Sequence, residues 1–89
     1  MARAYPFTAS GQLVTGPGEL AGLVVEETAA AAAAVRLYDG TDNTGVLLDA
    51  VRVAASLSEQ HSHASPVFFA TGLYAEKVTG TVKAVAHVV

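Results

Sequence analysis

The chain has 89 residues, eight carboxylates against five Lys plus Arg for a formal charge of −3, and no cysteine. That length sustains one small hydrophobic core, which excludes a doubly wound cofactor domain, a (β/α)₈ barrel and any multidomain enzyme. The lack of cysteine excludes disulfides, thiolate zinc sites and a cysteine nucleophile.

The bases stand apart in the sequence, at Arg3, Arg36, Arg52, Lys77 and Lys83. Nucleic-acid binding draws on a concentrated basic face that displaces counterions from phosphates, so no DNA or RNA partner is expected. The N-terminus carries one base with no apolar run behind it, and the apolar segment Leu20–Val25 stops at Glu26 and Glu27. A signal peptide needs roughly 7–15 apolar residues and a membrane helix about 20, so a soluble product with neither export signal nor membrane contact is expected.

In chain order, residues 1–10 read as an N-terminal arm or a first edge strand, with Arg3, Tyr5 and Phe7 as its candidate contact residues. Residues 11–89 read as a single domain. Turn signals fall at Ser10-Gly11, Gly16-Pro17-Gly18, Asp39–Gly45, Ser65-Pro66, Thr71-Gly72 and Thr79-Gly80. Between them lie runs rich in β-branched and aromatic residues: Leu20–Glu26, Val35–Tyr38, Gly45–Val53, Val67–Ala70, Leu73–Val78 and Thr81–Val89. Short strands at regular spacing predict an all-β fold, a small antiparallel β-sandwich of about six to eight strands. In the last run Val82, Ala84, Ala86 and Val88 share one face by alternation.

Residues 19–38 admit two readings. Leu20, Leu23, Val24, Glu27, Ala31, Ala34, Val35 and Tyr38 follow helical spacing, and six consecutive alanines favour helix. Gly22 inside the run, and the strand preference of Val24-Val25 and of Val35–Tyr38, favour strand–loop–strand instead, with a short helix or turn at Ala29–Ala34. Gly22–Glu27 is loosely echoed by Gly72–Lys77, as related strands in facing sheets would be.

The motifs that suggest chemistry have simpler explanations. Gly16-Pro17-Gly18 through Gly22 is one residue too long for a dinucleotide loop, and Glu19 would repel a phosphate there, so a tight turn is expected. Asp39–Gly45 is oxygen-rich, yet Thr44 and Ala50 stand where a calcium-binding EF-hand loop needs Gly and Glu, so a hairpin loop is expected. Glu59, His61 and His63 would project from one face of a strand, a spacing that suits a metal, but further ligands would have to come from His87 or a carboxylate. Surface histidines explain the pattern more simply, and no metal or other cofactor is expected. Glu26 and Glu27 alternate to opposite faces and cannot share a proton, and no nucleophile-elbow motif is present. No catalytic residues, and no enzymatic activity, are expected.

From Gly16 onward, the segments Gly16–Val25, the alanines, Val35–Thr41, Gly45–Leu48, Pro66–Phe69, Gly72–Tyr74 and Val78–Gly80 resemble a group of small tailed-bacteriophage and prophage proteins. The resemblance implies a β-sandwich virion component, made in the host cytoplasm and carried on the capsid surface. The expected function is that of an oligomeric capsid decoration (cement) protein stabilising the head, with the major capsid protein or another virion protein as partner and a trimer as the expected oligomer. A head–tail connector or tail component is the alternative within the same class, and a carbohydrate- or host-surface-binding module the alternative outside it. The shared positions are turn and core residues, so no functional residue carries over. Arg3, Tyr5, Phe7, Phe68, Phe69 and Tyr74 are the candidate interface residues. Phe68 and Phe69 point to opposite faces of a strand, so one of them is expected at the surface.

Overall fold

The structure, a computed structural model, describes residues 3–89, with Ala64 described by its backbone only. Eight strands follow one another: β1 (Arg3–Phe7), β2 (Gly11–Thr15), β3 (Gly18–Glu27), β4 (Ala33–Asp39), β5 (Val46–Val53), β6 (Ser58–Phe69), β7 (Gly72–Thr79) and β8 (Val82–Val88). They form two antiparallel four-stranded sheets, one ordered β1-β8-β3-β6 and the other β2-β7-β4-β5. The molecule measures 17 Å along its shortest axis, as two sheets stacked about 10 Å apart require.

The pairing has a simple logic. β4 pairs with β5, β3 with β6, β2 with β7 and β1 with β8, so the chain is one long hairpin closed at the Gly40–Gly45 loop. Rolled up, that hairpin brings β8 against β3 and β7 against β4, which splits it into two sheets. Eight strands wound in this way make a jelly roll.

The core follows from alternation. Val82, Ala84, Ala86 and Val88 are all buried, as are Leu23, Val25, Val35, Leu37, Val51, Val53 and Leu73. The small side chains of Ala33, Ala75, Ala84 and Ala86 let the facing sheets approach, while Phe69, Leu20, Leu23, Leu37 and Leu73 are the largest fully buried side chains between them. Between the Leu20–Val67 and Gly22–Ser62 pairs β6 carries extra residues, and it bulges around 63–66. Gly22 sits at this bulge because a Cβ there would lie 2.8 Å from the His61 carbonyl oxygen.

Residues 19–38 resolve into the strand–loop–strand reading. Helical spacing lost because β3 and β4 each bury one face in the core, and that burial outweighs alanine's local preference. Thr28–Ala32 form the loop, and Ala33 and Ala34 already belong to β4. The echoing segments lie in β3 and β7, one in each sheet. Strand content exceeds the sequence reading in two places, β2 and the first half of β6, where Gly11–Thr15 is short and Ser58–His63 is polar.

Candidate functional site

Phe69 is fully buried and presents no surface to a partner, while Phe7 is nearly buried, belongs to the core and also borders a groove on the outer face. Sequence alone does not say which face of an aromatic-bearing strand is inward, and only the second sheet decides it. Arg3–Phe7 is the edge strand β1, paired along its length with β8, while Met1 and Ala2 lie outside the described residues. Tyr5 is half-buried against the core and Arg3 is exposed. Phe68, pointing away from Phe69, is 61 % exposed.

Phe68 stands opposite Glu19 on the outer face of the β1-β8-β3-β6 sheet, and the Val89 amide donates to the Glu19 carbonyl at 2.9 Å. Val89 alternates with buried Val88, which places its side chain, 53 % exposed, on the same outer face. Further along, Pro6 pairs with Val85 and Val85 with Val24, and these line a shallow groove of about 400 Å³ flanked by Glu26 and Lys83. The outer face of this four-stranded sheet thus carries two apolar patches, Phe68 with Val89 and Pro6 with Val24 and Val85, separated on β8 by His87 and uncovered among the described residues. Tyr74 belongs to neither patch. It alternates with buried Ala75 and lies on the outer side of the opposite sheet, beside Tyr38, so Phe68 and Tyr74 form no common aromatic platform.

The Glu59–His63 stretch finds a partner that sequence spacing did not indicate. Asp49, on β5 of the opposite sheet, accepts from His61 Nδ1 at 2.8 Å through one carboxylate oxygen and from His63 Nε2 at 3.1 Å through the other. The Asp49 side chain is only 8 % exposed. A single carboxylate therefore bridges two rings across the open side of the sandwich, where β5 and β6 are the edge strands of their sheets. His61 lies opposite buried Leu23 and faces inward, whereas His87 alternates with buried Ala86 and Val88 and stays on the outer face. Glu59 is exposed and takes no part. Among the described residues, no group of three or more His, Asp or Glu side chains is arranged to hold a metal ion.

Two other carboxylates act on the backbone. Glu27, the last residue of β3 and 3 % exposed, accepts from the amides of Ala29 and Ala31 in the alanine loop and from Ser56 in the β5–β6 turn. The Ser56 bond, with those of the alanine amides, holds its carboxyl below the ordinary glutamate range against the opposing effect of burial. Asp39, the last residue of β4, accepts from the amides of Ala70, Thr71 and Gly72, and these bonds likewise lower its carboxyl below the usual aspartate range. Glu26, next to Glu27, is exposed on the outer face, as alternation requires.

No family model, curated protein or solved structure matches the chain.

Proposed function

We propose that the chain is a non-enzymatic virion structural protein, an oligomeric capsid decoration protein that binds the head surface and stabilises it. The observation that carries this reading is the pair of apolar patches on the outer face of the β1-β8-β3-β6 sheet, Phe68 with Val89 and the groove of Val24, Val85 and Pro6. Apolar surface grouped on one face of a small domain marks a place where another protein sits. A domain of this size buries a limited fraction of its own surface, and it gains stability by mass action when many copies bind a lattice or one another. The sequence resemblance to small phage proteins supplies the class of particle. The jelly-roll winding is consistent with it by analogy of fold only, since the same fold serves capsids and lectins alike.

The head is preferred to the neck or tail because cement proteins occupy repeated capsid positions, commonly three-fold ones, which also makes a trimer the expected oligomer. A host-surface-binding module is disfavoured because Phe68 and Tyr74 stand on opposite outer faces. Quantitative peptide mass spectrometry on purified particles tests the proposal. Copy numbers comparable to the major capsid protein are expected. A few to a few tens of copies would move the protein to the neck or tail, and its absence from clean particles would overturn the virion reading.

A further inference from the structure

Arg36 and Arg52 are distant in the chain, but the β4–β5 register makes them neighbours. Arg36 lies opposite Ala50 and Arg52 opposite Ala34, so the two are diagonal partners with Cα atoms roughly 7–8 Å apart. They alternate with buried Val35, Leu37, Val51 and Val53, so both point to the outer side of the β2-β7-β4-β5 sheet, and both are exposed. The alanines opposite them leave depth, and a groove of about 650 Å³ runs there between the two guanidinium-bearing chains, with Val78 and Thr79 as one wall.

Neither arginine has a carboxylate partner. Among the described residues no carboxylate lies within 4.0 Å of either guanidinium, and the carboxylate contacts of that kind are the two that Asp49 makes with histidine rings. Glu76 stands opposite Arg36 in register, but its oxygens take the Tyr38 hydroxyl at 3.3 Å and Asn43 Nδ2 at 2.7 Å. Two like charges side by side repel, and each guanidinium brings five N–H donors in a fork that fits a carboxylate. An anion between them removes the repulsion and uses the donors.

The adjoining backbone indicates how that anion is carried. β5 is an edge strand, and from Asp49 to Val53 it pairs with β4 without a break. β5 bulges at Leu48, so its regular stretch is the five residues Asp49–Val53 beside the arginines; among the other edges β1 carries Pro6, β2 bulges at Leu13 and β6 bulges around 63–66. A regular stretch of sheet edge is where an extended chain adds as a further strand. A densely charged polyanion is disfavoured by the chain's own charge of −3, whereas a peptide with spaced carboxylates is not.

We propose that the β4–β5 groove binds an extended acidic segment of a partner protein, which lies along β5 and places carboxylates on Arg36 and Arg52. This stands whether or not the chain is carried on a particle. The test is an NMR titration of the isotope-labelled protein with a short peptide of alternating Glu and Thr, and with its Gln counterpart. Expected are low-salt shifts of β4 and β5 amides and of both arginine Nε–H groups with the Glu peptide, and none with the Gln peptide. Arg36→Gln and Arg52→Gln each weaken binding on the order of tenfold or more, Arg→Lys at either site restores only part, and Lys83→Gln on the opposite sheet leaves it unchanged. Equal binding of the Gln peptide, unchanged binding by the double Arg→Gln variant, or tighter binding of a single-stranded oligonucleotide through the same arginines would overturn it. Both side chains are exposed, so the variants keep the thermal midpoint of the parent, and a loss of peptide binding with unchanged melting reports on the groove itself.

Discussion

The two ends of the sandwich solve the same problem with different chemistry. At each end a carboxylate on the last residue of a strand gathers the backbone amides of the turns around it. At one end Glu27 holds the alanine loop and the β5–β6 turn, while the Thr28 amide reaches the Thr81 carbonyl at 3.1 Å and ties in the β7–β8 turn. At the other end Asp39 holds the β6–β7 turn, and the Gly16 amide reaches the Thr71 carbonyl at 2.9 Å to tie in the β2–β3 turn.

The difference lies in which residues take positive φ. At the Asp39 end it is glycine, with Gly16 at φ 93°, a conformation that costs glycine little. At the Glu27 end Gly80 does so in one turn, but Ala30 and Ser56 sit at φ 56° and 60°, where a Cβ is unfavourable. Both of those residues lie in segments whose amides Glu27 receives. A buried carboxylate with three N–H donors offsets conformations that the local sequence does not favour, so the Glu27 end depends on its anchor more than the Asp39 end does.

Removing each anchor tests this most directly. Glu27→Ala leaves the amides of Ala29, Ala31 and Ser56 without their acceptor and is expected to lower the thermal midpoint by on the order of 10 °C. Asp39→Ala, at a more open site where water replaces the lost acceptor, is expected to cost about half as much. Equal losses in a thermal scan would break the distinction between the ends.

Backbone substitutions are expected to differ in sign. Gly16→Ala has open space for its Cβ but keeps a positive φ, and should destabilise by about 1 kcal/mol. Ala30→Gly relieves the same strain at the other end. Set against the added freedom of the unfolded chain, it should be neutral to stabilising by up to about 1 kcal/mol. Urea titrations of the two variants give both signs.

Acid provides the mildest test. Both anchoring carboxyls titrate lower in the folded protein than in the unfolded chain, so each contributes stability above its unfolded value that is lost as pH falls through its folded one. Below about pH 4, amide protection relative to the intrinsic exchange rate is expected to fall at Ala29, Ala31 and Ser56 and at Ala70 and Thr71, with core amides such as Leu23 still protected. A uniform loss of protection across the molecule would show that the ends do not open on their own.

Much of the architecture was legible in the residue pattern, because periodicity of two and glycine-rich turns are local properties. The core face of β8, the split of Phe68 from Phe69, and the separation of exposed Glu26 from buried Glu27 all follow from side chains alternating across a strand. The candidate sites were less legible. Phe7 and Phe69 read as surface candidates because the inward face of an isolated strand is undefined until a second sheet covers it. Asp49 gave no signal as the partner of His61 and His63, since only the stacking of β5 over β6 brings them within 3.1 Å. Arg36 and Arg52 read as dispersed charges, and their adjacency exists only in the β4–β5 register.

Taken by itself, then, the sequence determined the strand-rich class, the turns and the alternation of faces, since these depend on neighbours in the chain. Tertiary structure decided that the alanine run is a loop entering a strand, that Glu27 is a backbone anchor rather than a surface charge, and which polar side chains meet. Those outcomes depend on rolling one long hairpin into two sheets, where burial of the faces outweighs local preference and residues far apart in the chain become neighbours.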